Sequence, residues 1–443
     1  MRSIRLLLIL TTCFAVFFSC KKDDPARPVT PPPSAPPAPP LQITSFAPAS
    51  AAKDSVITII GKSFSTIPGS NTVTINGVPA TVLSAKNDML TVKVPVHAGT
   101  GVVQVQVGDQ TAGASTIFQY LYTVTTIAGD GNVGFKDGAG NAAEFNSPNG
   151  IGVDGAGNCY VADALNSRIR KITPDGQVST FAGDGTKTFK EGNGTAAAFY
   201  NPNGVAVTAN GVVYVADAGN NRIRKITAMA DVSTLAGDGF QGFKEGAGNQ
   251  AEFKIAQGVA LDAAGNVYVA DSYNSSIRKI TPAGEVSTLA GNGTYGFQDG
   301  TGSAARFSYP PSLTVDAAGF IYVADNGNNS IRRVSPAGEV VTLAGDGTQG
   351  FQDGPGPMAK FRDVSGVADA GHGYILVTDF LNFRIRQISP TGIVSTIAGD
   401  GTEGFKDGVG PNAEFSNPLG ITVDHLGNIY VVDAGNFRIR KLE

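Results

Sequence analysis

The sequence predicts an all-β chain in which a small sandwich precedes a ring of six repeated sheets. Two phrases recur six times at a spacing of 54 residues, and they are the first observation behind this prediction. Ala-Gly-Asp/Asn-Gly starts at Ala128, Ala182, Ala236, Ala290, Ala344 and Ala398, and an aspartate ends a Tyr-Val-Ala-type strand at Asp163, Asp217, Asp271, Asp325, Asp379 and Asp433. Self-similarity at a fixed period marks units that bury their apolar faces only against their neighbours. The second observation is composition: 57 glycines and no tryptophan in 443 residues fit a turn-rich β protein. The third is length, which is too great for one ordinary core and calls for two domains or a large closed repeat.

The chain opens with Arg2, Arg5 and an apolar run from Leu6 to Phe18, the pattern of a secretory signal peptide over residues 1–19. The run is too short to span a membrane. Phe17-Phe18-Ser19-Cys20 resembles a lipobox, which implies a lipid on Cys20; an ordinary cleaved signal peptide is the alternative. Lys21-Lys22-Asp23-Asp24 is similar to the short charged export signal that sends some lipidated proteins to the cell surface. The expected location is therefore the outer membrane, lipid-anchored and facing outward, with a periplasm-facing orientation as the alternative. Removing Arg2 and Arg5 takes the formal charge from −4 to −6, so no basic face points to nucleic acid. Once Cys13 is cut away and Cys20 is lipidated, only Cys159 remains, which excludes an internal disulfide and agrees with a monomer.

Residues 21–40 hold nine prolines and cannot pack a core, so the segment 20–40 reads as an anchored polyproline stalk. From Leu41 to Leu121, short apolar alternations recur between turn signals. They include Ser55 to Ile60, Thr72 to Ile75, Leu90 to Val94 and Val102 to Val107, with Asn76-Gly77 as a hairpin turn. About seven such strands predict an immunoglobulin-like sandwich. The phrases Ile43-Thr44-Ser45-Phe46-Ala47-Pro48, Ile59-Ile60-Gly61-Lys62-Ser63-Phe64, Val73 to Ala80 and Val94-Pro95 together resemble an IPT/TIG domain. That resemblance implies a spacer or binding accessory without chemistry of its own.

Each repeat parses into four strands. In the first they are Gly150 to Asp154, Asn158 to Asp163, Arg168 to Ile172 and Val178 to Ala182. Four antiparallel strands followed by a long loop make one propeller blade. The Gly-hydrophobic-x-hydrophobic-Asp strand, the Tyr-Val-x-Asp strand and the Asn-x-Arg-Ile turn are similar to the NHL repeat. The last repeat stops at its third strand, Arg438 to Leu442, while a spare fourth-type strand, Tyr122 to Ala128, stands before the first. Pairing the two closes a six-bladed ring over residues 122–443 and removes its open edges. With the first strand innermost, the long loop Gly129 to Pro148 and the turn Ala164 to Ser167 share one face. A binding site is expected there, at the channel mouth.

Several constellations bear on chemistry. The loop pattern Asp130-Gly131-x-x-Gly134-Phe135-Lys136-Asp137-Gly138 offers hard oxygen ligands that Ca²⁺ could use, but it lacks the EF-hand spacing, and Asn292 replaces one of its aspartates. Turn closure is the stronger reading, with Phe135, Phe189, Phe243, Phe297, Phe351 and Phe405 expected to bury themselves as loop anchors, and no cofactor is expected. Asp163 and Arg170, with their five counterparts, recur without exception and so read as turn caps and ion pairs rather than catalytic groups. His97 falls in the sandwich, and His372 and His425 fall in turns away from the long-loop face, so the channel has no histidine cluster for the metal that a resemblance to the amidating lyase would imply.

Function is expected where the repeats differ. The leading pairs of the innermost strands read Asn146-Ser147, Tyr200-Asn201, Lys254-Ile255, Ser308-Tyr309, Arg362-Asp363 and Ser416-Asn417, followed by Asn149, Asn203, Gln257, Pro311, Ser365 and Leu419. Leu165, Tyr273, Phe380, Leu381, Phe383 and Phe437 vary in the adjoining turns. The ligand-binding set expected is Asn149, Tyr200, Asn203, Lys254, Gln257, Tyr273, Tyr309, Arg362 and Asp363, with drift at exposed positions as the alternative. A glycan or protein ligand at the cell surface is the leading expectation. The other is a metal-dependent lactonase or lyase-like hydrolase, because Asp363 with Asn149, Asn203 and Asn417 resembles part of the Glu, Asn and Asp set of gluconolactonase-type propellers, although no Glu sits in this ring.

Overall fold

The computed structural model describes residues 39–443, and the signal peptide, the Cys20 anchor and the stalk up to residue 38 lie outside the described residues. Strands and short 3₁₀ turns make up the regular structure, with no α-helix among the described residues. The sandwich and the propeller belong to one compact unit, Pro40–Glu443.

The sandwich has eight strands rather than seven. Their order is Gln42–Ala47, Val56–Lys62, Met89–Lys93, Val78–Lys86, Thr72–Ile75, Gly101–Val107, Gln110–Leu121 and Ser50–Ala52. The additional three-residue strand Ser50–Ala52 runs parallel to Gln110–Leu121. Ile57, Ile59, Val73, Ile75, Leu90, Val92, Val103, Val105 and Phe118 fill the core from alternate positions of five of these strands.

Six blades follow, each a five-stranded antiparallel sheet. The first reads, from rim to channel, Gly138–Ala139, Gln177–Ala182, Arg168–Ile172, Cys159–Asp163 and Pro148–Val153. The outermost strand is a two-residue piece of the long loop folded back on the blade's edge, which caps an exposed row of backbone groups. In the sixth blade Thr123–Ala128 pairs with Arg438–Leu442, so the two ends of the propeller segment close one sheet.

The core of the ring lies between blades rather than within them. Val161, Cys159 and Ile172 of blade one pack against Tyr430, Val432 and Ile439 of blade six, and the same contact repeats around the ring. The innermost strands approach closely because small residues face the next blade. A Cβ on Gly204 would stand 2.3 Å from the Gln257 carbonyl oxygen, while its N–H donates to that oxygen at 2.7 Å.

The sandwich lies against the short-turn face, below blades five and six. Lys53 of the sandwich pairs with the Glu443 carboxylate, and His97 Nε2 lies 3.0 Å from Asn428 Oδ1. The long-loop face is thereby left clear.

Candidate ligand-binding site

A repeated ion pair positions the site. Asp163 Oδ1 accepts the N–H of Asn146 at 2.8 Å, and Oδ2 accepts from Asn166 Nδ2 at 2.9 Å and from Arg170 Nη1 at 2.7 Å. Arg170 also donates to the carbonyls of Glu144 and Lys136 and to Asp137 Oδ1. Both Asp163 and Arg170 are sealed from water. Burial pushes the Asp163 carboxyl above its usual range, and it pushes Asp325 up to about 6, with Arg332 and Asn328 opposing the shift. A charge so buried is tolerated only when fully hydrogen-bonded, and here each carboxylate oxygen is engaged.

The same arrangement clamps the variable residues. The leading residue of each innermost strand donates its N–H to the blade's aspartate, as Tyr200 does to Asp217, Lys254 to Asp271, Ser308 to Asp325, Arg362 to Asp379 and Ser416 to Asp433. Its carbonyl accepts from the adjoining turn, where Leu165, Gly219, Tyr273, Gly327, Leu381 and Gly435 are the donors. The next residue is always left-handed, with φ of 52° at Ser147, 51° at Asn201, 47° at Ile255, 48° at Tyr309, 57° at Asp363 and 53° at Asn417. Asparagine tolerates that region, whereas a β-branched Ile or a bulky Tyr is strained there.

The loop phenylalanines depart from expectation. Phe135 is 44% exposed, and its five counterparts are similarly open. The reason is that one ring face lies 3.8 Å from the Arg168 guanidinium and 4.9 Å from that of Arg170, so the ring lids the ion pair and leaves its other face in solvent. The buried anchors are instead Phe145, Phe199, Phe253, Phe307, Phe361 and Phe415. The loop aspartates are engaged locally: Asp130 accepts from the Asn132 N–H, which holds its carboxyl below the usual range, and Asp137 joins Arg170 to Thr180. Among the described residues, no group of three or more His, Cys, Asp or Glu has a metal-holding arrangement.

Of the nine ligand-binding residues expected from sequence, three meet at the channel mouth. Asn149, Asn203 and Gln257, with Pro311, Ser365 and Leu419, line a cavity of about 250 Å³. Its wall has uncharged amides on three consecutive blades and apolar groups on two others. The remaining six lie outside the wall, on the rim. Tyr200 borders a second cavity of about 380 Å³ with Leu165, Lys187 and Ile255. Tyr273 meets Tyr309 edge-on, with centroids 5.4 Å apart at 76°, and Tyr309 stacks on Tyr295 at 5.2 Å and 25°. These three rings are 43%, 39% and 60% exposed, respectively.

Sequence reasoning missed Tyr295. Comparing repeats inside the long loop would have found it, since Val133, Lys187, Gln241, Gln349 and Glu403 hold that place elsewhere. Lys254 and Asp363 are half-buried, and Arg362 is exposed on blade five. Of the variable turn residues, Leu165 and Tyr273 are exposed while Phe380, Leu381, Phe383 and Phe437 are half-buried. Asp363 and Asn417 do not join Asn149 and Asn203 on the channel wall.

This fold defines a class, a six-bladed β-propeller of NHL repeats preceded by a β-sandwich. Residues 41–122 match the IPT/TIG domain, and residues 199–226, 253–280, 307–334 and 415–442 match the NHL repeat. The Arabidopsis thaliana protein SUPPRESSOR OF QUENCHING 1, chloroplastic, is 32% identical over 284 residues, 60% of this chain and 27% of that protein. The chain therefore spans about a quarter of that relative's length. A Bacteroides thetaiotaomicron protein of unknown function superposes with a TM-score of 0.61 at 21% identity, covering 92% of this chain and 98% of that one. A protein from the same organism described as an auxiliary nutrient binding protein superposes with a TM-score of 0.57 at 20% identity, covering 91% and 98%. At these identities the two solved structures show a shared fold.

Proposed function

We propose that this chain is a surface lipoprotein, anchored through Cys20, whose propeller binds an extracellular glycan on its long-loop face. The observation that carries the reading is the exposed Tyr273, Tyr309 and Tyr295 cluster beside a channel mouth lined by uncharged amides. Phenol rings present flat apolar faces with a polar tip, and amides both donate and accept hydrogen bonds. An uncharged, hydroxyl-rich ligand with apolar ring faces matches both halves. The site is asymmetric, as a ligand without six-fold symmetry requires. The nutrient binding described for the solved neighbour from Bacteroides thetaiotaomicron is compatible with this role.

Binding of the chain to an array of immobilised glycans tests the proposal. Tyr273→Ala, Tyr295→Ala and Tyr309→Ala together should lower binding at least ten-fold while the melting temperature holds. Undiminished binding would remove the site, and binding to proteins alone would replace the glycan with a protein partner.

A further inference from the structure

A second cavity lies at the opposite pole of the molecule, between the sandwich and the short-turn face of blades five and six. It encloses about 410 Å³ and takes its wall from both domains. The sandwich supplies Asn76 and His97, the junction supplies Tyr122, and the propeller supplies His372, Tyr374 and Gln387.

The lining has three properties of a built site. Asn76, His97 and His372 all hold left-handed backbone, with φ of 51°, 57° and 52°. Asn76 takes it as the first residue of its hairpin turn, while at His97 and His372 the conformation is uncommon and orients the side chain. His97 is fixed further: Asn428 donates its Nδ2 to Asp424 at 2.7 Å, so its Oδ1 faces His97 as an acceptor, and the His97 Nε2 carries the hydrogen. Glycine at 427 permits that contact, since a Cβ there would stand 3.3 Å from the His97 ring. Second, the Tyr122 and Tyr374 hydroxyls and the Gln387 amide make no hydrogen bond to another described residue. Third, Asp, Glu, Lys and Arg are absent from the wall, whose remainder includes Val423 and Ile429.

We propose that this cavity is a second ligand site for an uncharged pyranose ring. Small-ligand sites span roughly 300–1,000 Å³ and favour domain interfaces, and the volume falls in that range. A cationic ligand would find no carboxylate here, and an anion only His372, since His97 Nε2 already faces Asn428. Free hydroxyls and an amide beside aromatic and aliphatic groups match a molecule with hydroxyls at its edge and an apolar face.

The chain has no tryptophan and twelve tyrosines, so a fluorescence change reports on tyrosines in general and calorimetry supplies the affinity. The test titrates the whole chain with the methyl pyranosides of glucose, galactose, mannose and N-acetylglucosamine, read by fluorescence and by calorimetry. Saturable binding of at least one is expected. In a Tyr273→Ala, Tyr295→Ala and Tyr309→Ala background, which removes the proposed long-loop site, binding should persist, and adding Gln387→Ala or Tyr122→Phe should weaken it ten-fold or more. Tyr122→Phe keeps the ring and its packing, and melting curves check that both variants fold. Three outcomes overturn the proposal: no saturation with any of the four, undiminished binding in both cavity variants, or loss of all binding in the triple-alanine background.

Discussion

Arg224 Nη1 lies 2.8 Å from Asp217 Oδ2, and neither side chain is exposed to water. The same carboxylate receives the backbone N–H of Tyr200, so the pair fixes both the blade's interior and the residue shown to solvent. Asp217→Asn would leave a buried guanidinium without its counter-charge. The expected loss is about 3–5 kcal/mol of stability, read by urea unfolding. A loss below about 1 kcal/mol would show the pair to be unimportant to the blade.

The blades are unequal in how they satisfy this arginine. In blades one, five and six an aspartate of the long loop accepts from its Nε, at 3.1, 3.0 and 3.1 Å. Blades two and three carry Glu191 and Glu245 there, which bond Thr234 and Thr288 instead, and Arg224 Nε and Arg278 Nε have no partner; in blade four Asp299 accepts from Arg332 Nη2, and Arg332 Nε has none either. Glu191→Asp and Glu245→Asp should each stabilise the fold by about 1 kcal/mol, measured by thermal unfolding. Destabilisation by both would mean that the threonine bonds matter more.

The close approach of the innermost strands at Gly204 predicts intolerance of any side chain. Gly204→Ala should cost about 1–3 kcal/mol through forced separation of blades two and three. It should also weaken glycan binding, because Asn203 and Gln257 flank the point of contact. Blade four carries Ser312 at this place, so Ser312→Gly should be close to neutral in the same assays.

Cys159 is buried, and burial pushes its thiol above the ordinary range. In a chain starting after Cys20, where it is the sole thiol, it should not react with a disulfide reagent until the protein unfolds. A raised folded value means that the stability tied to the neutral thiol is complete below the unfolded value, about 8.5, and fades as pH rises beyond it. Cys159→Val, which copies Val213 and Val267, should abolish that alkaline fall. It should also reduce the cleft of about 450 Å³ beside Tyr430. Rapid native modification of Cys159 would contradict its burial.

Much of this architecture was legible because it is periodic. Strand alternation, the 54-residue spacing and the displaced Tyr122 to Ala128 segment give six blades and their closure. Asn149, Asn203 and Gln257 stood out because their place in the repeat changes to Pro311, Ser365 and Leu419 in the other blades. Hydrophobicity could not tell which face of Phe135 meets solvent, since its partner is a guanidinium brought by another strand. The edge strand Gly138–Ala139 is too short to carry a period. The meeting of His97 with the propeller depends on docking between domains, which no local pattern encodes.

The clamp on each leading residue uses only its amide and carbonyl. Tyr, Lys, Arg, Ser and Asn all hang from the same two bonds, so the scaffold is indifferent to which side chain it displays. Display and folding are therefore written in separate atoms at these six positions. New specificities should be reachable one substitution at a time, as letters are changed on a fixed keyboard.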